Sequence, residues 1–550
     1  MLFHEYNMTA KIVPSFEKVL LDREPTMEEY SSKMLRNERL NVQLVFKSEC
    51  PYATKSNRIE VEGDLAPFVT LRSVEHVPVT YTAPEADDYY IDKRPGLYPD
   101  HLKEFKGLGL VIPCRQWKSV WVSLDGKGEL LPAGDHTLTF TLFDEFNNKV
   151  TELSYTVTIL NTVSVENDLK ITNWMHYDSI CQMHRVKPFT KKFYQFFDKY
   201  LSTYVDCGMT MLLTPLFTPA LDTVVGGERM TTQLVGVTVE NGKYSFDFSK
   251  LEEFVAFAKA KGIRYFEFSH LFTQWGGKFC PKIMAEKNGK MQKIFGWHVS
   301  SDSAEYKEFL DAFLPALYQK IVDLGIKEVS YIHLTDEPGL GSLETYAKCC
   351  ELVKHHMGGI QTMDALSEPE FCEKGIVDIP VPITKHYEKF LKFKKKELIV
   401  YNCCFPNNGY YSLRFINGPG VRMRIMGAQF YATGATGFLH WGFNFYSSVL
   451  SMERINPYAV TDACGFFPGG DGFIVYPTEK GVEYSLRAEL MKESVQDYCA
   501  LKTLESLTDK QTAQALLDEA GIKHYNEYPR ESAEFAKFRN RIYETIEQNI

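Results

Sequence analysis

From Leu169 onward, apolar runs recur eight times, near 169–176, 209–216, 263–270, 328–335, 359–365, 377–383, 398–404 and 435–443, mostly with amphipathic helical stretches between them. Parallel strands need a long crossover between them, so this rhythm builds a parallel sheet with helices on its faces. Eight such strands meet the requirement of a (β/α)8 TIM-type barrel. Two helices are marked by their own chemistry. Ser249 and Glu252 read as a capping box ahead of Leu251, Phe254, Val255 and Phe257, with Gly262 as the stop. Another starts near Asp302 and carries Pro315. The helix after strand six is short and strand five has almost none.

The preceding region has a different period. Leu40, Val42, Leu44 and Phe46 alternate with Asn41, Gln43 and Val45; Leu138, Phe140 and Leu142 alternate with threonines. Period-two runs joined by turns such as Asp144–Asn148 predict hairpins of a β-sandwich. The expected organisation is an N-terminal β-sandwich over 1–165, the barrel over 166–500 and a small helical appendage over 501–550.

Composition limits the function classes. The 550 residues carry 61 Lys and Arg against 71 Asp and Glu, a net charge of −10, which disfavours nucleic acid as a partner. The N-terminus lacks a signal-peptide pattern, and the least charged stretch, 209–227, holds Pro215, Pro219 and Asp222, so a cytoplasmic protein without membrane insertion is expected. The twelve cysteines include two adjacent pairs, Cys349–Cys350 and Cys403–Cys404, but no C-x-x-C; neither H-E-x-x-H nor a phosphate-binding glycine loop occurs. Free thiols, no metal and no organic cofactor follow. Nothing in the sequence specifies an oligomeric state. Aromatic residues make up 14% of the chain. Most of them serve a large core, and some are available to line a sugar cleft.

In a barrel the chemistry sits at the C-terminal strand ends. Strand four ends in His333-Leu334-Thr335-Asp336-Glu337-Pro338. Two adjacent carboxylates walled by aromatics repel each other, and one pKa should rise, as a glycosidase acid requires. Strand seven ends in Tyr401-Asn402-Cys403-Cys404, with no carboxylate to act as nucleophile. That pattern suits substrate-assisted hydrolysis, in which the substrate's own acetamido oxygen attacks C1 while one carboxylate orients it and the other protonates the leaving oxygen.

Trp174 and Trp441 are candidates for the wall and floor of the sugar pocket, and Tyr401 for a donor to the acetamido oxygen. His176, Asp178 and Asn444 are candidate hydroxyl ligands, and Trp275 and Trp297 candidate aglycone contacts. His270 and His333 read as core histidines, and Arg487 with Glu489 as a structural ion pair.

The Asp336-Glu337 pair, Trp174–Asp178, Phe272-Thr273-Gln274-Trp275-Gly276, Phe295-Gly296-Trp297, Ser485–Glu489 and Asp497-Tyr498 together resemble glycoside hydrolase family 123. The resemblance implies a retaining β-N-acetylgalactosaminidase acting on glycans with terminal β-GalNAc, with Asp336 orienting the acetamido group and Glu337 as general acid/base. A broader or GlcNAc-specific β-N-acetylhexosaminidase, and a glycan-binding barrel without turnover, are the alternatives.

Overall fold

A computed structural model describes residues 3–105, 107, 109–393 and 397–550. By packing, these fall into two compact units: 1–167 with 407–433 and 483–550, and 168–406 with 434–482. The sequence placed 501–550 as an appendage of its own, whereas its helices group with the N-terminal strands.

The first unit holds two five-stranded sheets. One runs β1 (Met8–Pro14), β3 (Arg39–Ser48), β8 (Lys118–Asp125), β5 (Val69–Val79), β6 (Gly96–Glu104); the other β2 (Ser31–Leu35), β10 (Lys149–Leu160), β9 (Gly134–Phe143), β4 (Thr54–Glu62), β7 (Leu110–Ile112). Leu40, Val42, Leu44 and Phe46 of the first sheet share one buried cluster with Leu138, Phe140, Leu142, Tyr155 and Val157 of the second. The predicted hairpin β9–β10 forms. Its turn is held by the Asp144 carboxylate, which accepts the Phe146 and Asn148 amides at 3.0 and 2.9 Å.

The opposite face of β3 is buried too, which alternation alone does not foretell. Asn41 and Gln43 are 2% and 0% exposed. Asn41 donates to Glu493 at 3.2 Å on the helix Leu486–Leu507, and Arg39 pairs with Glu489 on that helix at 3.2 Å. Arg487 instead binds Asp100 through both carboxylate oxygens, at 2.8 and 2.9 Å. Residues two apart point about 200° from each other around a helix, so Arg487 turns to Asp100 while Glu489 takes Arg39 and Arg72, in place of the expected Arg487–Glu489 pairing. Asp497 accepts Arg424 and Arg539, both at 3.0 Å, all three being buried. These polar contacts explain why the C-terminal helices belong to this unit.

Glu38 is buried in the same unit, where it accepts the Leu35 amide at 2.8 Å and the Tyr543 hydroxyl at 3.1 Å. Burial pushes its carboxyl from 4.5 up to about 7. The folded state therefore holds a proton that the unfolded state releases, so stability falls as pH rises from about 4.5 to about 7. The full loss is about 3 kcal/mol. Glu38→Gln keeps the acceptor oxygen and should remove this slope. Urea unfolding at pH 5 and pH 8 checks it, and a stability difference between variant and parent that does not change with pH would contradict the argument.

In the second unit all eight expected strands form, at Lys170–Asn173, Met211–Thr214, Tyr265–Phe268, Ser330–His333, Gln361–Leu366, Ile379–Pro382, Ile399–Tyr401 and Gly437–His440. Their spatial order is 6-5-4-3-2-1-8-7, all parallel. A single bridge between Ile383 and Tyr401, with the Thr384 amide donating to the Tyr401 carbonyl at 2.9 Å, nearly closes strands six and seven into a barrel. The weak crossovers are where the sequence put them. One turn of helix, Glu370–Glu373, follows strand five, and a 3-10 segment, Tyr387–Phe393, follows strand six.

The helix Ser249–Ala260 forms, but without the capping box. The Asp247 carboxylate takes the Ser249 amide at 2.9 Å, which leaves Ser249 inside the first turn. The helix Ala304–Asp323 starts at Ser303, whose hydroxyl accepts the Tyr306 amide at 3.2 Å, and contains Pro315. A four-stranded sheet grows from the loops after strands two and three: Gly236–Glu240, Lys243–Asp247, Ile283–Lys287 and Lys290–Phe295. No described helix is long and apolar enough to cross a membrane.

Candidate active site

Beyond the fourth barrel strand, Thr335 anchors the chain by donating its amide and hydroxyl to Asp364 at 3.0 and 2.9 Å. Asp336 and Glu337 follow. In an extended strand adjacent side chains point to opposite faces. Glu337 breaks that rule with φ 44°, a left-handed conformation costing a non-glycine residue about 1–3 kcal/mol. The turn brings two neighbouring carboxyl groups into one electrostatic environment.

The loop after strand three is locked onto this turn. The Trp275 amide donates to the Asp336 carbonyl at 2.6 Å. Gly276 and Gly277 have φ of 102° and 70°, and a Cβ on them would lie 2.3 Å from Ser342 Oγ and 2.9 Å from Thr335 Cγ2. Side chains there would force the two loops apart.

The electrostatics follow from burial. Loss of water, then the Glu337 charge, pushes the Asp336 carboxyl well above its ordinary range. Burial raises Glu337 as well, opposed by the Tyr401 hydroxyl, which donates to Glu337 Oε1 at 2.7 Å. Below the pair, His333 lies 2.7 Å from Glu267 and 3.3 Å from Asp364. Burial works against its charge, but Asp364 and Glu267 prevail and lift it to about 10, so it is an imidazolium at neutral pH.

Three of the expected aromatic residues stand around this centre. Trp174 and Tyr401 belong to the buried cluster at the barrel's heart, and Trp441 packs against it, partly exposed. The indole N–H of Trp174 donates to Glu267 at 2.9 Å, and that of Trp441 to Asp471 at 2.8 Å. Trp275 is tethered to Asp336 and is 51% exposed. Trp297 is half-buried against Phe279 in the same long segment.

His176, Asp178 and Asn444 form a separate buried network. Asn444 exchanges two hydrogen bonds with the His176 backbone, and the His176 ring meets the Trp441 carbonyl at 2.9 Å and Arg229 at 3.2 Å. Asp178 takes the Arg229 guanidinium at 2.8 and 2.7 Å. Burial raises Asp178, but Arg229 overcomes it and holds the carboxyl below its usual range. Burial and Arg229 push His176 down to about 4, so it is neutral.

Sequence reasoning missed four residues here: Glu267, Asp364, Arg229 and Asp471. Two carried a signal. Glu267 sits between Phe266 and Phe268, and Asp364 between Met363 and Ala365, each a charge inside a buried strand, which persists only with partners. Among the described residues no group of His, Cys, Asp and Glu is placed to hold a metal ion.

The family model described as the catalytic domain of glycoside hydrolase 123 matches residues 174–504. Fold and match together define a glycoside hydrolase. The chain belongs to glycoside hydrolase family 123. No curated protein matches its sequence. A solved structure of a family 123 glycoside hydrolase from Clostridium perfringens, described in connection with glycolipid glycan hydrolysis, superimposes with a TM-score of 0.73 at 14% identity, over 98% of this chain and 97% of that one. It supports the fold. An endo-β-1,4-mannanase from Thermotoga petrophila reaches a TM-score of only 0.34 at 15% identity, over 62% of this chain and 78% of that one. That likeness bears no weight.

Proposed function

We propose that the protein hydrolyses terminal β-linked N-acetylhexosamines, GalNAc first, with retention and by substrate assistance. The observation that carries this reading is the buried Asp336–Glu337 pair, both carboxyl groups raised, with the Tyr401 hydroxyl rather than a carboxylate facing it from strand seven. A two-carboxylate retaining enzyme needs a nucleophile across the sugar from its acid. Here the acetamido oxygen of the substrate takes that place. It attacks C1, the leaving oxygen takes a proton from Glu337, and an oxazolinium forms. Asp336 orients the acetamido N–H and balances the developing positive charge. Water activated by Glu337 then opens the ring, and the configuration is retained.

Trp174 and Trp441, each oriented through its indole N–H by a buried carboxylate, frame the sugar. Trp275 meets the aglycone, with Trp297 further along the same segment. Tyr401, whose hydroxyl donates to Glu337, is also the donor to the acetamido oxygen of the substrate. His176, Asp178 and Asn444 act on sugar hydroxyls through the loop geometry they maintain. The glycolipid glycan hydrolysis described for the Clostridium perfringens structure supports a glycan as the substrate class.

Aryl β-GalNAc should be cleaved and inhibited by a thiazoline analogue, while aryl β-galactoside, which lacks the assisting group, should not be cleaved. Equal rates on the two aryl glycosides would rule out substrate assistance. Sugar binding with no turnover on any aryl N-acetylhexosaminide would favour a glycan-binding barrel.

A further inference from the structure

Past Tyr401, strand seven leads to Cys403 and Cys404, whose sulfurs lie 4.0 Å apart. Both side chains are half-buried rather than sealed. Cys403 packs against the cluster that holds Trp174 and Tyr401, as Trp441 does. The other adjacent pair, Cys349–Cys350, lies on the helix Leu343–His356 and is 6% and 1% exposed, with side chains that diverge about 100° around the helix axis.

Adjacent cysteines do not readily bridge each other, because consecutive Cα atoms are about 3.8 Å apart and a disulfide usually spans about 4.4–6.8 Å. Insertion of one soft atom relieves that conflict. Two bonds of about 2.3 Å, the zinc–thiolate length, meeting near the tetrahedral angle, hold sulfurs roughly 3.8 Å apart, close to the 4.0 Å observed. Among the described residues no third protein ligand completes a metal site. A captured centre must therefore bring its own third substituent.

We propose that Cys403 and Cys404 form a dithiol site for monosubstituted trivalent arsenicals, and that its occupation closes the sugar site beside it. The second half rests on the reading of Asp336 and Glu337 given above. In the capture step an arsenoxide exchanges its oxygen for two As–S bonds. Both thiol protons leave with that oxygen as water, and arsenic stays trivalent, so no oxidant is consumed. The contact with Cys404, burial and the charges of Glu337 and Asp471 hold the Cys403 thiol well above its ordinary range. Single-thiol alkylation, which needs the thiolate, should be slow there. A chelate draws instead on two sulfurs at once.

The test uses the full chain with phenylarsine oxide, read by intact mass spectrometry and by hydrolysis of aryl β-GalNAc. One adduct per chain is expected, removed by dithiothreitol but not by mercaptoethanol, with hydrolysis lost and regained in step. Cys403→Ser and Cys404→Ser should each abolish it, and Cys349→Ser and Cys350→Ser should keep it. An adduct surviving in both of the first two variants overturns the site. Should those variants lose the native circular dichroism spectrum, peptide mapping of the unsubstituted protein decides, since arsenic found away from 403–404 overturns it equally. Capture at 403–404 with unchanged hydrolysis overturns the closing of the sugar site. Capture by a protein that never cleaves the glycoside removes the hydrolase reading and leaves the dithiol site standing.

Discussion

Glu337→Gln should slow cleavage of a natural disaccharide by roughly 10²–10⁴-fold, the ordinary worth of a positioned general acid. Aryl glycosides with activated leaving groups should suffer far less, because their leaving oxygen departs without a proton. Burial raises both carboxyl groups, Asp336 further than Glu337, so the electrostatics suit the pair to acid/base work without ranking its members; the division of roles is the one the resemblance to family 123 implies. Asp336→Asn should behave differently. Orienting the acetamido group matters whatever the leaving group, so both substrate classes should lose about 10²–10³-fold. Kinetics on a leaving-group series separate the two roles. A Glu337→Gln enzyme with full activity on the disaccharide, or an Asp336→Asn enzyme impaired only on poor leaving groups, would reverse or remove the assignment.

Asp178→Ala is expected to act on stability before it acts on sugar. It strands the Arg229 guanidinium, which has donated to both oxygens of Asp178 and to the Leu221 carbonyl from a buried position. Breaking a buried pair by removing one partner costs about 3–5 kcal/mol, since the remaining charge is uncompensated. Replacing both partners with leucine should recover much of that loss. Thermal and denaturant unfolding of the single and double variants measure it. A single variant with native stability and a raised KM would instead make Asp178 a direct substrate ligand.

The barrel was legible in the sequence because each strand is buried on both faces and reads as a short apolar run. The carboxylate pair was legible because it follows such a run directly. The accessory sheet was not read, although Asn241-Gly242 and Asn288-Gly289 are hairpin signals; both asparagines have positive φ, 51° and 53°. Val237, Val239, Tyr244 and Phe246 do alternate with polar residues around the first of these turns, but the strands are only five or six residues long and largely exposed, so the signal is short beside the barrel's buried runs. The capping box at Ser249 failed for a local reason. Asp247 takes the Ser249 amide and hydroxyl, the Glu252 amide donates to the Phe248 carbonyl, and the Glu252 carboxylate pairs with Lys320, so neither half of the box is made.

By itself the sequence determined the number and type of the barrel elements, the place of Asp336 and Glu337 at the end of the fourth strand, and the membership of family 123 through the motifs around them. These are local or pairwise in sequence, and hydrophobic period and residue chemistry report them directly. Only the tertiary structure decided that Glu267 orients both Trp174 and His333, that Arg229 ties Asp178 to His176, that Tyr401 holds Glu337, and that the C-terminal helices cover the polar face of β3. Each of these joins residues far apart in the chain through a buried hydrogen bond or ion pair. Such partners are chosen by the need to compensate a desolvated charge, and that need arises only once the fold has removed the water.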